Sequence, residues 1–176
     1  GNDPSHKRRE HKRLDALISY CELSECRRGA LLGYFNEQKQ TLIGCGNCDI
    51  CLSPPLMLDG TEAAKQILDL IIETGQIFGQ AHIIDVLRGA NTKKIRKFRH
   101  DQLKLYGIGS DIDKNTWRTI LRQMVAGGYL NLDVAGYGGL SIHPKGQEII
   151  DGSRVFSYRS DVIKSVNERK DKNFKK

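Results

Sequence analysis

Four of the chain's five cysteines are spaced in the way that metal ligands are. They follow the pattern Cys-x18-Cys-x2-Cys-x2-Cys, and they are Cys26, Cys45, Cys48 and Cys51. Four thiolates complete the tetrahedral shell of Zn²⁺ and leave no position open for a water molecule. The two-residue gaps let one tight loop supply three ligands, and the distant first cysteine ties a second segment to that loop. The pattern therefore predicts a structural Zn²⁺ site rather than a catalytic one.

Two other chemistries also use clustered cysteines. A Cys-x2-Cys-x2-Cys segment can hold an iron–sulfur cluster, which predicts a brown protein, whereas d¹⁰ zinc predicts a colourless one. Disulfides are less expected, because they persist in oxidising compartments and the first residues lack the apolar core of an export signal. The longest apolar runs are also too short to cross a bilayer. We therefore expect a cytoplasmic protein without membrane contact.

The charge balance predicts a polyanionic partner. The chain has 176 residues, 28 of them Lys or Arg against 21 Asp or Glu, and a formal net charge of +7. The excess lies in residues 88–104 and 152–176. Local basic stripes favour nucleic acid, since each neutralised phosphate releases counterions, and a solvated basic face is the alternative. Because the chain begins with Gly1 rather than Met, we expect it to be a piece of a longer protein.

Two helices are expected to position the cysteines. The first spans residues 7–22, because apolar residues recur there at the i, i+3, i+4, i+7 spacing that lines one helix face. The residues of that face are Leu14, Leu17, Ile18 and Cys21. This interpretation places Cys21 in the core rather than on a metal. A second helix follows Cys26, and its expected buried residues are Leu31, Leu32 and Phe35.

A second unit begins after Pro54-Pro55, because two consecutive prolines break the chain. Thr61 is predicted to cap a helix that ends at Gly75. Its apolar stripe is formed by Ala64, Ile67, Leu68, Ile71 and Ile72. A short second helix follows and ends at Gly89, which leads into a basic connector over residues 90–109.

The rest of this unit is predicted to be a helix and a small hairpin. Asp113 is the expected N-cap of the third helix, which Gly127-Gly128 end. The buried stripe of that helix is Trp117, Ile120, Leu121, Met124 and Val125. Alternating residues in 129–134 and 140–143, joined by a glycine-rich turn, predict a β-hairpin, and Pro144 starts a last short helix. Three helices followed by a hairpin are typical of a winged helix.

The predicted fold is therefore mainly α with a small β-hairpin. A helical zinc-binding subdomain occupies residues 1–58, a winged-helix domain residues 59–152, and a basic tail or linker residues 153–176.

Several side chains are candidates for DNA contact. Arg118 and Arg122 lie one turn apart on the third helix and could face phosphate or solvent. Tyr137 lies at the hairpin tip, where it could stack on an unpaired base or fold back onto the wing. His100 and His143 are interpreted as ordinary polar or packing residues. The chain has no phosphate-binding loop of the G-x-x-x-x-G-K-[ST] type, so it has no visible means of binding ATP.

From about residue 10 to about residue 152 the sequence resembles the C-terminal region of RecQ DNA helicases of the bacterial type. Five segments carry the resemblance: CRRGALLGYF, CGNCDICLSPP, VLRGANTKKI, HDQLKLYGIGSD, and the helix of Trp117 with its wing. The wing is short, as in bacterial members, and it places Leu140 where some animal members carry an aromatic residue that separates the strands.

The resemblance implies a role for this region. It implies zinc on the four cysteines, and a surface that grips duplex or forked DNA beside the point of unwinding. ATP and Mg²⁺ would belong to upstream motor domains that translocate 3′ to 5′ in replication, recombination and repair. It further implies that Arg88, Asn91 and Lys94 approach the DNA backbone, and Lys93 clusters with them. The alternative is a free-standing zinc and winged-helix transcription regulator.

Overall fold

A computed structural model of the chain describes residues 10, 17, 20–24, 26–35, 44–133 and 138–160. The helices are α1 (Arg27–Tyr34), α2 (Asp49–Leu52), α3 (Thr61–Glu73), α4 (Gln80–Leu87), α5 (Lys93–Phe98), α6 (Lys114–Ala126) and α7 (Pro144–Ile150). The strands are β1 (Met57–Asp59), β2 (Leu130–Leu132), β3 (Leu140–Ile142) and β4 (Ser157–Arg159), and a 3₁₀ turn covers His100–Gln102. The predicted fold class, mainly α with a small hairpin, is confirmed. Across the described ranges no helix combines the length and apolar character that a bilayer span requires.

The helices around the cysteines bury less than their periodicity predicts. Most of the helix predicted over residues 7–22 lies outside the described residues, although residues 10, 17 and 20–22 are helical. Leu17 and Cys21 are exposed, so the placement of Cys21 in the core is wrong. Leu31 and Phe35 are likewise exposed rather than buried. Periodicity identifies an apolar face, but whether that face is covered depends on what packs against it.

Helix α3 begins one residue earlier than predicted. Thr61 is its first helical residue and Gly60 is the N-cap, so Thr61 is not the cap. The Asp59 carboxylate, just before the cap, accepts a 2.8 Å hydrogen bond from the Thr61 N–H. Gly75, in the left-handed conformation at φ +78°, follows the helix end as expected. Four residues of the predicted stripe are buried, but Ile72 is exposed and Leu70 is buried in its place.

The predicted connector after α4 contains a helix of its own. Helix α5 spans Lys93–Phe98, and the Thr92 hydroxyl caps it by accepting a 3.2 Å hydrogen bond from the Ile95 N–H. Ile95 is fully buried, so a single apolar residue anchors this short basic helix on the core. Four of the six residues of this helix are cationic, so its sequence shows no apolar stripe from which a helix could be predicted.

Helix α6 is capped and anchored as expected. The Asp113 carboxylate accepts hydrogen bonds from the N–H groups of Asn115 and Thr116, at 2.8 and 3.1 Å. Trp117 is fully buried, and its indole N–H donates a 2.9 Å hydrogen bond to the Gly109 carbonyl. A Cβ at Gly109 would lie 2.3 Å from the Trp117 ring, so only glycine allows this close approach. The first turn of α6 is therefore held firmly against the preceding loop.

The hairpin and the end of the chain are both joined to this core. Strands β2 and β3 pair antiparallel, and the Leu140 N–H donates a 2.9 Å hydrogen bond to the Phe78 carbonyl. Strand β4 pairs antiparallel with β1, and Phe156 just before it is buried. Strand β4 and Phe156, which lie within the tail or linker predicted from residue 153, therefore pack against this core. Only the long-range pairing of β1 with β4 reveals this.

Candidate metal centre and nucleic-acid surface

The four predicted cysteine ligands lie together. Their Sγ atoms all lie within 4.8 Å of one another, and the Sγ atoms of Cys45 and Cys51 are 4.0 Å apart. A tetrahedral Zn²⁺ with Zn–S bonds of about 2.3 Å would separate its sulfurs by about 3.8 Å. Cys26 lies immediately before α1, whereas Cys48 is the N-cap of α2 and Cys51 lies in the first turn of that helix. The spacing and donor set therefore fit a four-thiolate metal.

The backbone around the cluster favours thiolate. The Cys45 sulfur accepts N–H groups of Asn47 and Cys48, at 3.5 and 3.3 Å. The pKa of the Cys48 thiol is lowered to about 6, mainly by a backbone hydrogen bond. The pKa of Cys51 is raised to about 11, chiefly through its side-chain hydrogen bond to Cys48. Without a cation, neighbouring thiols ionise unequally because adjacent negative charges repel. A bound metal ion would allow all four thiols to ionise together.

Gly44 leaves room for this arrangement. Its φ of +82° is left-handed, and a Cβ at this position would lie 2.8 Å from the Cys51 sulfur. Any larger residue would therefore press on a ligand atom, which explains why glycine precedes Cys45.

An ion-paired cluster joins the segment before the first ligand to the winged helix. Glu22 Oε1 lies 2.6 Å from the Nε of Arg122, and Glu22 Oε2 lies 3.7 Å from Arg159 on β4. Arg159 also donates hydrogen bonds to the carbonyls of Cys21 and Leu23, at 3.2 and 3.3 Å. Glu22 is not identifiable from its local sequence, because its two partners lie 100 and 137 residues away.

A rigid corner carries the first of the predicted DNA contacts. Arg88 is the exposed C-cap of α4, and Gly89 after it has φ +69°. The Tyr106 hydroxyl donates a 2.9 Å hydrogen bond to the Gly89 carbonyl, and a Cβ at Gly89 would lie 3.1 Å from Gly107 Cα. Asn91 is exposed two residues further on. The turn is thus held by contacts to the Gly89 backbone, and the side chains of Arg88 and Asn91 are exposed.

This corner lies beside the start of α6. Lys114, the first residue of α6, lies 2.9 Å from Asp85 of α4, three residues before Arg88. The pKa of Asp113 is lowered mainly by the Thr116 hydroxyl, and the charge of Arg88 adds to that lowering. Lys93 and Lys94 are exposed in the first turn of α5. We define the basic corner as Arg88, Asn91, Lys93 and Lys94.

A family profile matches most of this fold. The profile described as the RQC domain covers residues 54–166, more than half of the chain. The chain belongs to the RQC domain family. A second profile, described as RecQ zinc-binding, covers residues 1–52 and therefore contains the four clustered cysteines of the RQC chain.

Curated relatives of this RQC chain are helicases. It is 41% identical over 158 residues to the ATP-dependent DNA helicase RecQ of Pasteurella multocida, covering 89% of this chain and 25% of that protein. It is 41% identical over 127 residues to the protein of the same name from Haemophilus influenzae, covering 72% of this chain and 20% of that protein. The ATP-dependent DNA helicase Q-like 4B of Arabidopsis thaliana is 32% identical over 112 residues, 62% of this chain and 10% of that protein. The chain spans a quarter or less of these relatives, and these matches give no support to a transcription regulator.

The structure separates the remaining candidates in this RQC domain. Arg118 is exposed and hydrogen-bonded to Asn115, whereas Arg122 is ion-paired with Glu22, so these neighbours do not share one free face. Tyr137 lies outside the described residues. Leu140 is fully buried and is therefore a core residue of the wing.

The histidines are structural, as interpreted, but one was missed. His143 caps α7, since its Nδ1 accepts a 3.2 Å hydrogen bond from the Lys145 N–H. His100 is buried, and its Nδ1 lies 2.8 Å from the Nε2 of His82. Burial is the main cause that lowers the pKa of His82 to about 4, and the charges of His100 and Lys94 lower it further. The two histidines are 18 residues apart, so no local spacing could have paired them.

Proposed function

We propose that the chain is the DNA-binding region of a RecQ-type helicase that unwinds duplex DNA 3′ to 5′ in replication, recombination and repair. The observation that carries the proposal is the basic corner, held rigidly beside the start of α6 on a scaffold of the RQC family. Helix-turn-helix relatives bring the start of their recognition helix to DNA, with the surrounding segments on the phosphate backbone. In this proposal the basic corner and Arg118 hold phosphates of duplex or forked DNA, and Tyr137 stacks on a base where the strands part.

The metal has a structural role in this proposal. Cys26, Cys45, Cys48 and Cys51 hold one Zn²⁺, which joins the start of α1 to the loop before α2 and supplies folding energy to a segment with little core of its own. ATP and Mg²⁺ act only in motor domains supplied by the rest of the protein. The zinc-binding subdomain, predicted as residues 1–58, would then end before β1, and the winged helix, predicted as residues 59–152, would run from β1 through β4. Such a protein would act on DNA at the nucleoid.

Binding and turnover assays test the proposal. The purified chain should bind blunt duplexes of unrelated sequence with similar affinity, because backbone contacts carry no sequence information. That affinity should fall steeply with salt, and ATP hydrolysis should stay at the level of a mock preparation with or without DNA. Fluorescence anisotropy and a phosphate-release assay measure the two properties. Absence of duplex binding at low salt, or DNA-stimulated ATP turnover by this chain, would overturn it.

A further inference from the structure

An exposed aromatic ring lies at the end of the most basic helix in the described part of the chain. Phe98 is the last residue of α5 and is 45% exposed. The helix reads KKIRKF, so four of its six residues are cationic and none is acidic. The Lys97 Nζ lies 5.7 Å from the centroid of the Phe98 ring. An exposed apolar residue alone is ordinary on a protein surface. This one lies beside Lys97 at the end of a helix with four cationic residues.

The Phe98 ring is supported from below. It meets Phe78 edge to face, with ring centroids 4.9 Å apart, and lies 5.8 Å from the ring of His100. Phe78 is buried and stacks on His82 at 4.4 Å. The Phe78 carbonyl accepts the hydrogen bond from Leu140 that joins this layer to the wing. The exposed ring is therefore the outer member of a packed aromatic layer that continues into the hairpin.

The residue after Phe98 is held in an unfavourable conformation. Arg99 has φ +58°, in the left-handed region where helices most often end in glycine. Gln76 has a similar φ of +59°, but its side chain accepts a 2.9 Å hydrogen bond from Ile142 of the wing. In the described part of the chain the Arg99 side chain has no such partner. Arg99 therefore occupies a position beside Phe98 where glycine would be less strained. Its side chain is available to a ligand.

We propose that Phe98 is a stacking platform for unpaired bases of single-stranded DNA, with Lys97 and Arg99 holding the phosphates on either side. An exposed apolar ring with Lys97 and Arg99 on either side of it in the chain matches a base linked to phosphates, and base stacking tolerates any sequence. An acidic protein segment that carries an apolar residue could bind the same ring and cations. It is the alternative ligand that the experiment must exclude. This inference rests on the proposed function, and it adds a single-strand site beside the duplex-binding corner.

Variants of Phe98 test the platform. Phe98→Ala in the 176-residue chain should weaken binding of a fluorescent oligo-dT by roughly 5- to 100-fold, and Phe98→Tyr should bind nearly as well as the parent. Blunt-duplex affinity should change little, and the salt slope on oligo-dT should stay constant because no charge is lost. Ile72→Ala is the matched control, since Ile72 is 47% exposed but lies at the end of α3. Equal losses on duplex and oligo-dT, or no loss on oligo-dT, would overturn the platform but not the proposed function, because the parent chain would still bind duplex DNA. A parent that binds no DNA would instead overturn the proposed function, and this inference with it.

A second variant keeps the test decisive if Phe98→Ala unfolds. Trp117 is fully buried, so Phe98→Trp adds one exposed indole to a constant background. Oligo-dT should quench the added emission, and an acidic apolar peptide should not. Quenching by the peptide alone, or by neither probe, contradicts the proposal.

Arg99→Gly should raise the melting temperature while it weakens oligo-dT binding and makes its salt slope shallower, by about 0.7 for one lost contact. Unchanged binding in Arg99→Gly would remove Arg99 from the site.

Discussion

The Glu22 carboxylate lies 2.6 Å from the Nε of Arg122, and this ion pair ties the segment before the clustered cysteines to helix α6. The Glu22 side chain is only 10% exposed and that of Arg122 is 35% exposed. Arg159 lies on the other side of the same carboxylate. One acidic group therefore balances two cations at the junction of the two subdomains.

Removal of this carboxylate charge should destabilise the chain. Glu22→Gln removes the carboxylate charge that faces the guanidinium groups of Arg122 and Arg159, and we expect a loss of about 1 to 4 kcal/mol in the free energy of unfolding. Urea denaturation followed by circular dichroism measures it. Asp69→Asn is the control, because Asp69 is exposed on α3. If both variants lose the same small amount, the pair does not hold the subdomains together.

Loss of a cysteine ligand should remove the metal. The parent chain should contain one zinc, colourless and detectable by elemental analysis, and Cys48→Ser should lose it along with part of its helical signal. Cys21→Ser should retain both, because Cys21 is exposed and outside the four-thiol cluster. Iron in place of zinc would support the iron–sulfur alternative instead. Full zinc content in Cys48→Ser would contradict the ligand set.

Neutralising the basic corner should weaken duplex binding uniformly. Arg88→Ala with Lys94→Ala should lower affinity for all duplex sequences alike and make the salt slope shallower, by about 0.9 for each lost phosphate contact. Arg28→Ala with Lys65→Ala removes the same charge elsewhere and serves as the control. Anisotropy titrations at several salt concentrations measure both quantities. A corner variant that behaves like the control would exclude these residues from the interface.

Acid should destabilise the fold through His82. The pKa of its imidazole is depressed from 6.5 to about 4, so between these values the unfolded chain binds the proton and the folded chain does not. The free energy of unfolding should therefore fall as the pH decreases from about 6.5 to 5, before the carboxylates titrate. His82→Gln can still hydrogen-bond His100 and should flatten this slope. His143→Asn keeps the exposed cap of α7 and should leave the slope unchanged, and an unaltered slope in His82→Gln would contradict the assignment.

Local spacing was sufficient to predict the metal centre and most helices. Two-residue gaps bring Cys45, Cys48 and Cys51 into one loop whatever surrounds them, because the reach of so short a chain is limited. Asp113 and the stripe of α6 are equally local, since an N-cap bonds to N–H groups two or three residues ahead. The sequence by itself therefore determined which cysteines cluster, most of the helix ends, and the order of helices and hairpin that is typical of a winged helix.

Tertiary structure decided which faces are covered and which distant groups meet. Cys21 has the spacing of a core residue but is exposed, whereas Phe156 has no local pattern and is buried because β4 returns to pair with β1. Glu22 meets Arg122, and His82 meets His100, only through packing. The periodicity of a segment determines the face that it offers. The rest of the folded chain determines whether that face is buried, paired or left open to a ligand, as it is at Phe98.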